Sequence, residues 1–201
     1  NECILRRLMN EISERVIKVD SIIETVEKRR TMKWYKRVRH YYDGILQVAR
    51  MQKFYHDHAS GFHIAEHQKM WSAYLGDYYK MDTYYRLFHL SFGKSLKESA
   101  TVLEDNYKSV ADYVEGLYKN WYLSELGAQW TALITDEVLQ SPSLENIAQQ
   151  NDFYKSRVAP IAASGSRVFV IVSDALRYEV ASQLCEELIR DTRGSAKLDA
   201  M

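Results

Sequence analysis

The run of five apolar residues at Val168–Val172 constrains the fold of this chain more than any other feature. Side chains alternate between the two faces of a strand, so an uninterrupted β-branched and aromatic run predicts a strand that is covered on both faces, as in a parallel α/β sheet. Asp174 follows the run, and a helical pattern begins after it. Because ligand sites in such sheets lie at the carboxyl ends of the strands, Asp174 is predicted to be a metal ligand or a nucleophile. Capping of the following helix is the open alternative.

The residues before this run are predicted to be helical. Apolar residues recur every three or four positions from Ile4 to Val26, which predicts one amphipathic helix of about six turns. The apolar positions between Trp34 and Ala49 predict a second helix. Two prolines and eight glycines in 201 residues favour long helices over a turn-rich β fold. Further helices are predicted at residues 63–75, 77–92, 96–119, 121–140 and 144–157, with a loop at 57–62.

The last part of the chain has a different pattern. Val158–Ser166 is rich in small residues and contains a proline and a glycine, which predicts a linker. Beyond Asp174, the apolar positions from Leu176 to Leu188 predict one face of a helix. We therefore expect a mainly α fold, with a helical domain at residues 1–160 followed at residues 161–201 by the first β–α unit of an α/β domain.

The composition is that of a globular, water-soluble protein. Hydrophobic residues make up 46% of the chain, and 27 basic side chains balance 27 acidic ones. The zero net charge argues against nonspecific nucleic-acid binding by the chain as a whole. The two cysteines cannot form a disulfide framework, which favours a reducing cytoplasm. No signal peptide or membrane-spanning run is recognised, and because the chain begins with Asn1 we expect it to be truncated at both ends.

Six basic side chains are concentrated near residue 34 without an intervening acid: Arg29, Arg30, Lys33, Lys36, Arg37 and Arg39. Together with Trp34 and Tyr35 they predict a helix with one strongly basic side. Such a side can contact nucleic-acid phosphates while the aromatic rings stack on bases. The favoured interpretation is a solvated or partner-facing side of an amphipathic helix, with protein docking as its use.

A zinc-binding pattern is also present in the segment HIAEH, residues 63–67. In H-x-x-E-H, two histidines four residues apart share a helix face and bind zinc, and the glutamate acts as a base. Here His63 and His67 would be the ligands and Glu66 the base. The pattern is short and lies at a predicted junction between loop and helix, so a solvated helix start is the favoured interpretation.

The chain contains fifteen tyrosines, which include adjacent pairs at 41–42, 78–79 and 84–85. Clustered tyrosines can form a stacking platform for a ligand. In a helical bundle they more often bury the ring and keep the hydroxyl group hydrated or hydrogen-bonded. We therefore expect these residues in the core and at its edges.

The segment VFVIVSDALRYEVA, which is followed by a predicted helix and RGSAKLDAM, resembles the opening of the phosphatase domain in the PglZ family of type 1 BREX phage-defence systems. The upstream segments RRTMKWYKRVRHYYDGILQVARM, YYKMDTYYRLFHLSF and LYKNWYLSELGAQW are similar to the helical region of the same family. The resemblance covers most of the chain, and DALRYE is its most specific part.

The resemblance implies that residues 161–201 open an α/β domain of the alkaline phosphatase superfamily. In that superfamily an acid at the end of the first strand binds one cation of a two-metal site, and Asp174 matches that position. Divalent metal, with zinc expected, would hold the attacking and leaving oxygens of a phosphoryl group. Arg177 is a candidate for orienting an anionic substrate.

The nucleophile of the family and its other metal ligands are expected beyond residue 201. The parent protein is therefore expected to be a metal-dependent phosphohydrolase, whereas this chain alone is expected to be inactive. The resemblance also implies that the helical region contacts other BREX components: a methyltransferase, an ATPase or a small accessory protein. Nucleic-acid binding through residues 28–39 is the alternative, and no membrane contact is expected.

Overall fold

A computed structural model describes residues 2–97, 101–134, 147–191 and 194–200. The chain forms two compact units, of which the first comprises residues 1–63 and 80–129 and the second residues 64–79 and 130–201. Helices account for most of the described residues, which confirms the prediction of a mainly α fold. The predicted domain division at residue 160 stays a prediction.

Nine α-helices are assigned within the described residues: α1 Glu2–Ser13, α2 Val19–Arg30, α3 Tyr35–Asp57, α4 His67–Ala73, α5 Tyr79–Ser95, α6 Glu104–Glu115, α7 Ser124–Leu133, α8 Ala159–Ala163 and α9 Tyr178–Asp191. Wider π-helical turns continue three of these paths, at Tyr74–Tyr78, Gly116–Leu123 and Tyr154–Val158. Short 3₁₀ turns lie at Thr101–Leu103 and Gln150–Asp152. The parts of the predicted helices that fall on residues 98–100 and 135–146 lie outside the described residues.

The single helix predicted for residues 4–26 is wrong, because two helices with a turn between them occupy this stretch. The N–H of Arg15 donates to the carbonyl of Ile12 at 3.0 Å, and the N–H of Val16 donates to that of Glu11 at 2.8 Å. These two bonds define a Schellman C-terminus for α1. Arg15 takes the left-handed position of the motif, with φ at 61°. Both helices direct apolar stripes to one core, so the periodicity of the sequence continues across the break.

The continuous basic helix predicted around residues 29–39 is also interrupted. Helix α2 ends at Arg30 and α3 begins at Tyr35, with turns at residues 31–34. Three basic residues close α2, where a positive charge is favourable beside the C-terminal end of the helix dipole. The six basic side chains are therefore distributed over the end of one helix, a turn and the start of another.

An aromatic core holds the first unit together. The ring of Tyr107 on α6 lies 5.1 Å from that of Tyr41, 5.6 Å from Phe88 and 5.2 Å from Phe92, measured between centroids. Its hydroxyl donates to the carbonyl of His40 at 3.3 Å, and burial raises the pKa of this hydroxyl. Since burying a large apolar side chain stabilises a fold by about 1.5–3 kcal/mol, this group of rings anchors α3, α5 and α6 to one another.

A buried carboxylate is accommodated in the same core by tyrosine hydroxyls. Tyr118 donates to Oδ1 of Asp82 at 2.5 Å, and Tyr122 donates to Oδ2 at 3.4 Å. The ring of Tyr85 stacks on that of Tyr118 with centroids 3.8 Å apart. Hydrogen bonding of both carboxylate oxygens offsets the cost of burying Asp82. This group and the buried pair at residues 41–42 confirm that tyrosines build the core and its edges.

The second unit contains the segment predicted to be a linker and the segment predicted to be a strand. Residues 158–166 are not purely linker, because α8 occupies Ala159–Ala163 with a proline in its first turn, a favoured position for that residue. Residues 166–173 have neither helix nor strand assignment, and Phe169, Ile171 and Val172 are 85%, 92% and 87% exposed. The described residues provide no neighbouring strand with which this segment could pair, so the predicted β–α unit stays a prediction.

Candidate metal centre and basic surface

Asp174 lies in an exposed turn between the apolar segment and α9. Among the described residues it has no hydrogen-bond or ion-pair partner. The carbonyl of Arg177 accepts the first helical bonds, from the N–H groups of Val180 and Ala181, so Arg177 occupies the N-cap position of α9. Asp174 precedes that position and does not cap this helix, which removes the alternative that the sequence left open. Ala175, the next residue, has φ at 55°, an uncommon conformation for a residue with a side chain.

Arg177 is half exposed and contacts a fully buried carboxylate. Its Nε lies 3.5 Å from Oε1 of Glu179, whose side chain is 0% exposed. Sequence reasoning missed Glu179 because it assigned the buried face of α9 to the apolar positions from Leu176 to Leu188. In the structure the buried positions of α9 are Glu179 and Ser182, while Leu188 is 41% exposed. The spacing of three between Glu179 and Ser182 was the available signal.

Tyrosine side chains surround the start of α9 within the second unit. The Tyr178 hydroxyl donates to the carbonyl of Leu75 at 3.2 Å, and its ring packs edge-to-face on that of Tyr79 at 5.2 Å. The Ser182 hydroxyl donates to the Tyr79 hydroxyl at 3.4 Å. Burial is the main reason that the pKa of Tyr178 is raised. These contacts fix the beginning of α9, and with it the backbone that leads out of the Asp174 turn.

The zinc pattern in residues 63–67 does not form a helical pair of ligands. His63 precedes α4, and His67 is the first residue of that helix, so the two imidazoles do not share a helix face. Glu66 is in an extended conformation and forms an ion pair with Lys69 at 2.6 Å. His63 and Glu66 are exposed, as expected of a solvated helix start, whereas the Nε2 atom of His67 is buried.

A candidate metal site in the described part of the chain rests on Asp174 alone. No group of three or more His, Cys, Asp or Glu side chains is placed there to enclose a cation. The chemistry of Asp174 nevertheless fits a metal ligand, because an exposed carboxylate without a competing partner is available to a hard or borderline cation. The arrangement can supply one ligand, and a two-metal centre needs others.

The basic side chains of residues 29–39 form a second candidate site, which we call the basic surface. Five of its six members, all except Arg30, have no acidic partner among the described residues. Arg30 pairs with Glu27 at 3.0 Å, and its pKa is raised chiefly by a hydrogen bond with Tyr35. Trp34 is 57% exposed, and the guanidinium of Arg37 lies 4.8 Å from the centroid of its ring. A cation held over an exposed indole forms an anchor that is both charged and apolar.

Comparison with known proteins identifies a protein family that the last part of the chain matches. Residues 153–201 match the family described as "BREX system PglZ alkaline phosphatase-like domain". The chain is 32% identical over 200 residues to "Alkaline phosphatase-like protein PglZ" of Bacillus cereus (strain H3081.97) and 31% identical over 205 residues to "Alkaline phosphatase-like protein BrxZ" of Escherichia coli O9:H4 (strain HS). These matches confirm the resemblance to the PglZ family.

The two alignments cover 98% of this chain but only 22% and 23% of the respective relatives. Similarity thus extends through both the helical region and the segment that carries Asp174. No solved structure matches the chain. Within the described residues, no helix is both long enough and apolar enough to span a membrane.

Proposed function

We propose that Asp174 is one metal ligand of a phosphohydrolase centre in a protein of PglZ type, and that further residues of an alkaline phosphatase-like domain complete this centre. The family match at residues 153–201 carries the proposal. The exposed position of Asp174 and its lack of a partner among the described residues support it. When bound, a pair of divalent cations, with zinc expected, would stabilise the attacking and leaving oxygens of a phosphoryl group.

Arg177 has a supporting role in this proposal. The buried carboxylate of Glu179 lies 3.5 Å from Nε of Arg177 and attracts this guanidinium to the start of α9, three residues after Asp174. A guanidinium matches the geometry of phosphate oxygens and can bind two of them at once. Arg177 would therefore orient an anionic substrate beside the metal ligand. Phosphomonoesters, phosphodiesters and nucleic-acid phosphates are the candidate substrates.

The experiment uses a full-length protein that contains this sequence. We expect hydrolysis of p-nitrophenyl phosphate or bis-p-nitrophenyl phosphate to require divalent metal. Asp174→Ala should lower the rate about a hundredfold or more, since losing a metal ligand removes several kcal/mol of transition-state stabilisation. Asp152→Ala, at another exposed aspartate, is the matched control and should leave the rate unchanged. Activity that survives both chelation and Asp174→Ala would remove Asp174 from the mechanism.

We also propose that the helical region docks another BREX protein: the methyltransferase, the ATPase or a small accessory protein. The observation that favours this second function is the basic surface, in which five cations have no acidic partner among the described residues and one of them, Arg37, lies over the exposed ring of Trp34. An acidic partner would be attracted to such a surface, and the indole would supply buried apolar area at the interface. All of these components would meet in the cytoplasm.

Capture by each purified BREX component tests the docking proposal. Reversing the charges at Arg29, Arg30, Lys33 and Arg37 in the 201-residue chain should weaken capture at least about tenfold at low salt. Reversal of Lys94 and Lys97, which are also exposed, is the control. Failure to capture any component would remove the support for docking. Binding of duplex DNA that is lost on the same reversal would favour the nucleic-acid alternative.

A further inference from the structure

The first unit contains a cleft of about 370 Å³, and its lining residues have no role in the functions proposed above. Helix α3 contributes Gln52 and Tyr55 to its walls, and α6 contributes Asp112 and Tyr113. The remaining lining residues are Arg15, Gly116, Leu117 and Trp121. Small-molecule sites have volumes of about 300–1,000 Å³. This cleft is at the lower end of that range, which suits a single nucleobase or nucleoside rather than a polymer.

Two departures from regular helical backbone meet at this cleft. Arg15 occupies the left-handed C-terminal position of α1, where glycine would avoid the steric cost of a Cβ atom. The π-helical segment Gly116–Leu123 forms another wall and places Trp121 there. Irregular backbone of both kinds is frequent at functional sites.

The cleft contains one side chain of each charge. Arg15 and Asp112 both line it, and neither forms an ion pair within the described part of the chain. A ligand that offers hydrogen-bond acceptors to the guanidinium and donors to the carboxylate would satisfy both groups. Charge-assisted hydrogen bonds of this kind are about twice as strong as neutral ones.

The aromatic and amide groups of the cleft are held in place by their neighbours. The rings of Tyr55 and Trp121 meet edge-to-face at 4.7 Å. Tyr113 donates its hydroxyl hydrogen to Oε1 of Gln52, and Nε2 of Gln52 lies 2.8 Å from Nε2 of His56. Burial is the main cause that raises the pKa of Tyr113 to about 12, so the hydroxyl stays protonated at neutral pH. The ring of Trp121 also packs on that of Phe62, with centroids 5.6 Å apart. These contacts fix the aromatic and amide groups of the cleft before a ligand binds.

We propose that this cleft binds a guanine base, with the guanidinium of Arg15 on the acceptor atoms O6 and N7, the carboxylate of Asp112 on the N–H donors, and the ring of Trp121 as the stacking surface. The paired donors of arginine match O6 and N7 of guanine, whereas adenine carries an amino group in place of O6. Base–aromatic stacking supplies affinity without discriminating between bases. The two charged groups therefore provide the selectivity.

Calorimetric titration of the intact 201-residue chain with guanosine, GMP and AMP tests the proposal. We expect guanosine and GMP to bind with affinities within about threefold of each other and at least about tenfold more tightly than AMP, since a bidentate contact discriminates by about that factor or more. Equal binding of GMP and AMP, binding of GMP without guanosine, or no binding at millimolar concentrations would overturn it.

Arg15→Gly separates a binding role of the side chain from a structural one. Glycine relieves the left-handed strain, so the variant should melt at the same temperature or higher while it binds guanosine at least about tenfold more weakly. Asp112→Asn should weaken guanosine binding to a similar degree. Arg6→Ala and Asp105→Asn, on exposed positions of the same two helices, are the matched controls. Unchanged affinity in both Arg15→Gly and Asp112→Asn would also overturn the proposal.

Discussion

The aromatic core of the first unit and the apolar segment at residues 166–173 contain similar side chains in opposite environments. Phe88 and Ile45 in the core are 0% exposed, whereas Phe169 and Ile171 are 85% and 92% exposed. Helices satisfy their own backbone hydrogen bonds, so a few of them can enclose a core within one compact unit. A strand must pair with a neighbour before its side chains can be covered on both faces. Hydrophobicity alone therefore does not bury a residue; the backbone partner must also be present.

The largest expected effect is on the free energy of unfolding when one large side chain is truncated in each region. Phe88→Ala should lower the free energy of unfolding by about 3–5 kcal/mol, because it leaves a cavity in the aromatic core. Ile171→Ala should change it by less than about 0.5 kcal/mol, as at other exposed positions. Urea unfolding followed by circular dichroism measures both values. An equal cost for the two variants would mean that the apolar segment is covered in solution.

Two glycines on helices of the first unit offer a smaller and sharper test of core packing. A Cβ atom at Gly44 would overlap the hydroxyl of Tyr107, whereas a Cβ atom at Gly93 would meet nothing within 4 Å. Gly44→Ala should therefore destabilise the chain by about 1–3 kcal/mol. Gly93→Ala, the matched control, should stabilise it by up to about 1 kcal/mol through helix propensity. Thermal unfolding measures both variants, and shifts of the melting temperature in the same direction would contradict the packing argument.

The smallest expected effect is a pH dependence of stability that arises in the first unit, at His89. Burial lowers the pKa of His89 below 6.5, although Glu115 Oε1 lies 3.0 Å from its Nε2. The unfolded chain then binds more protons at this site, so stability should fall as the pH drops through 6.5 towards the folded-state pKa. The change should be less than about 1 kcal/mol because the ring is partly exposed.

His89→Gln should make stability depend less on pH between about 7.5 and 5.5. The midpoint of denaturant unfolding, measured across this range, checks the expectation. The apolar segment at residues 166–173 has no group that titrates in that window and should contribute nothing to it. A variant that keeps the full slope would assign the proton uptake to another group. The Glu115 carboxyl acts at lower pH: its pKa lies below 4.5, as burial, which raises it, is outweighed by hydrogen bonds from Lys119 and Tyr85.

Parts of the fold were predictable because they depend on local periodicity. Leu8 and Ile12, two positions of the predicted stripe, are buried in α1, whereas Ile4, where the stripe begins, is only partly buried. The break at Arg15 was not predictable from spacing, because a left-handed residue other than glycine leaves no signal in an apolar pattern. The turn at residues 31–34 escaped for a related reason, since it contains neither glycine nor proline to mark it.

The candidate sites were predictable to different degrees. Asp174 was identified from its place after an apolar run, and the structure shows that it is exposed and does not cap α9. Its role as a metal ligand stays a prediction. Glu179 and the Arg15 cleft were missed, because a buried carboxylate on a helix and a cleft between helices depend on side chains that are distant in sequence.

The helical class of the chain, the composition of its core and the resemblance carried by DALRYE follow from local spacing and residue identity, so they can be recognised without a structure. The packed fold was needed to locate the breaks between helices, the buried face of α9 and the polar groups that meet at the cleft. Those features depend on how separate helices pack, and packing is a property of pairs of distant residues that no local pattern records.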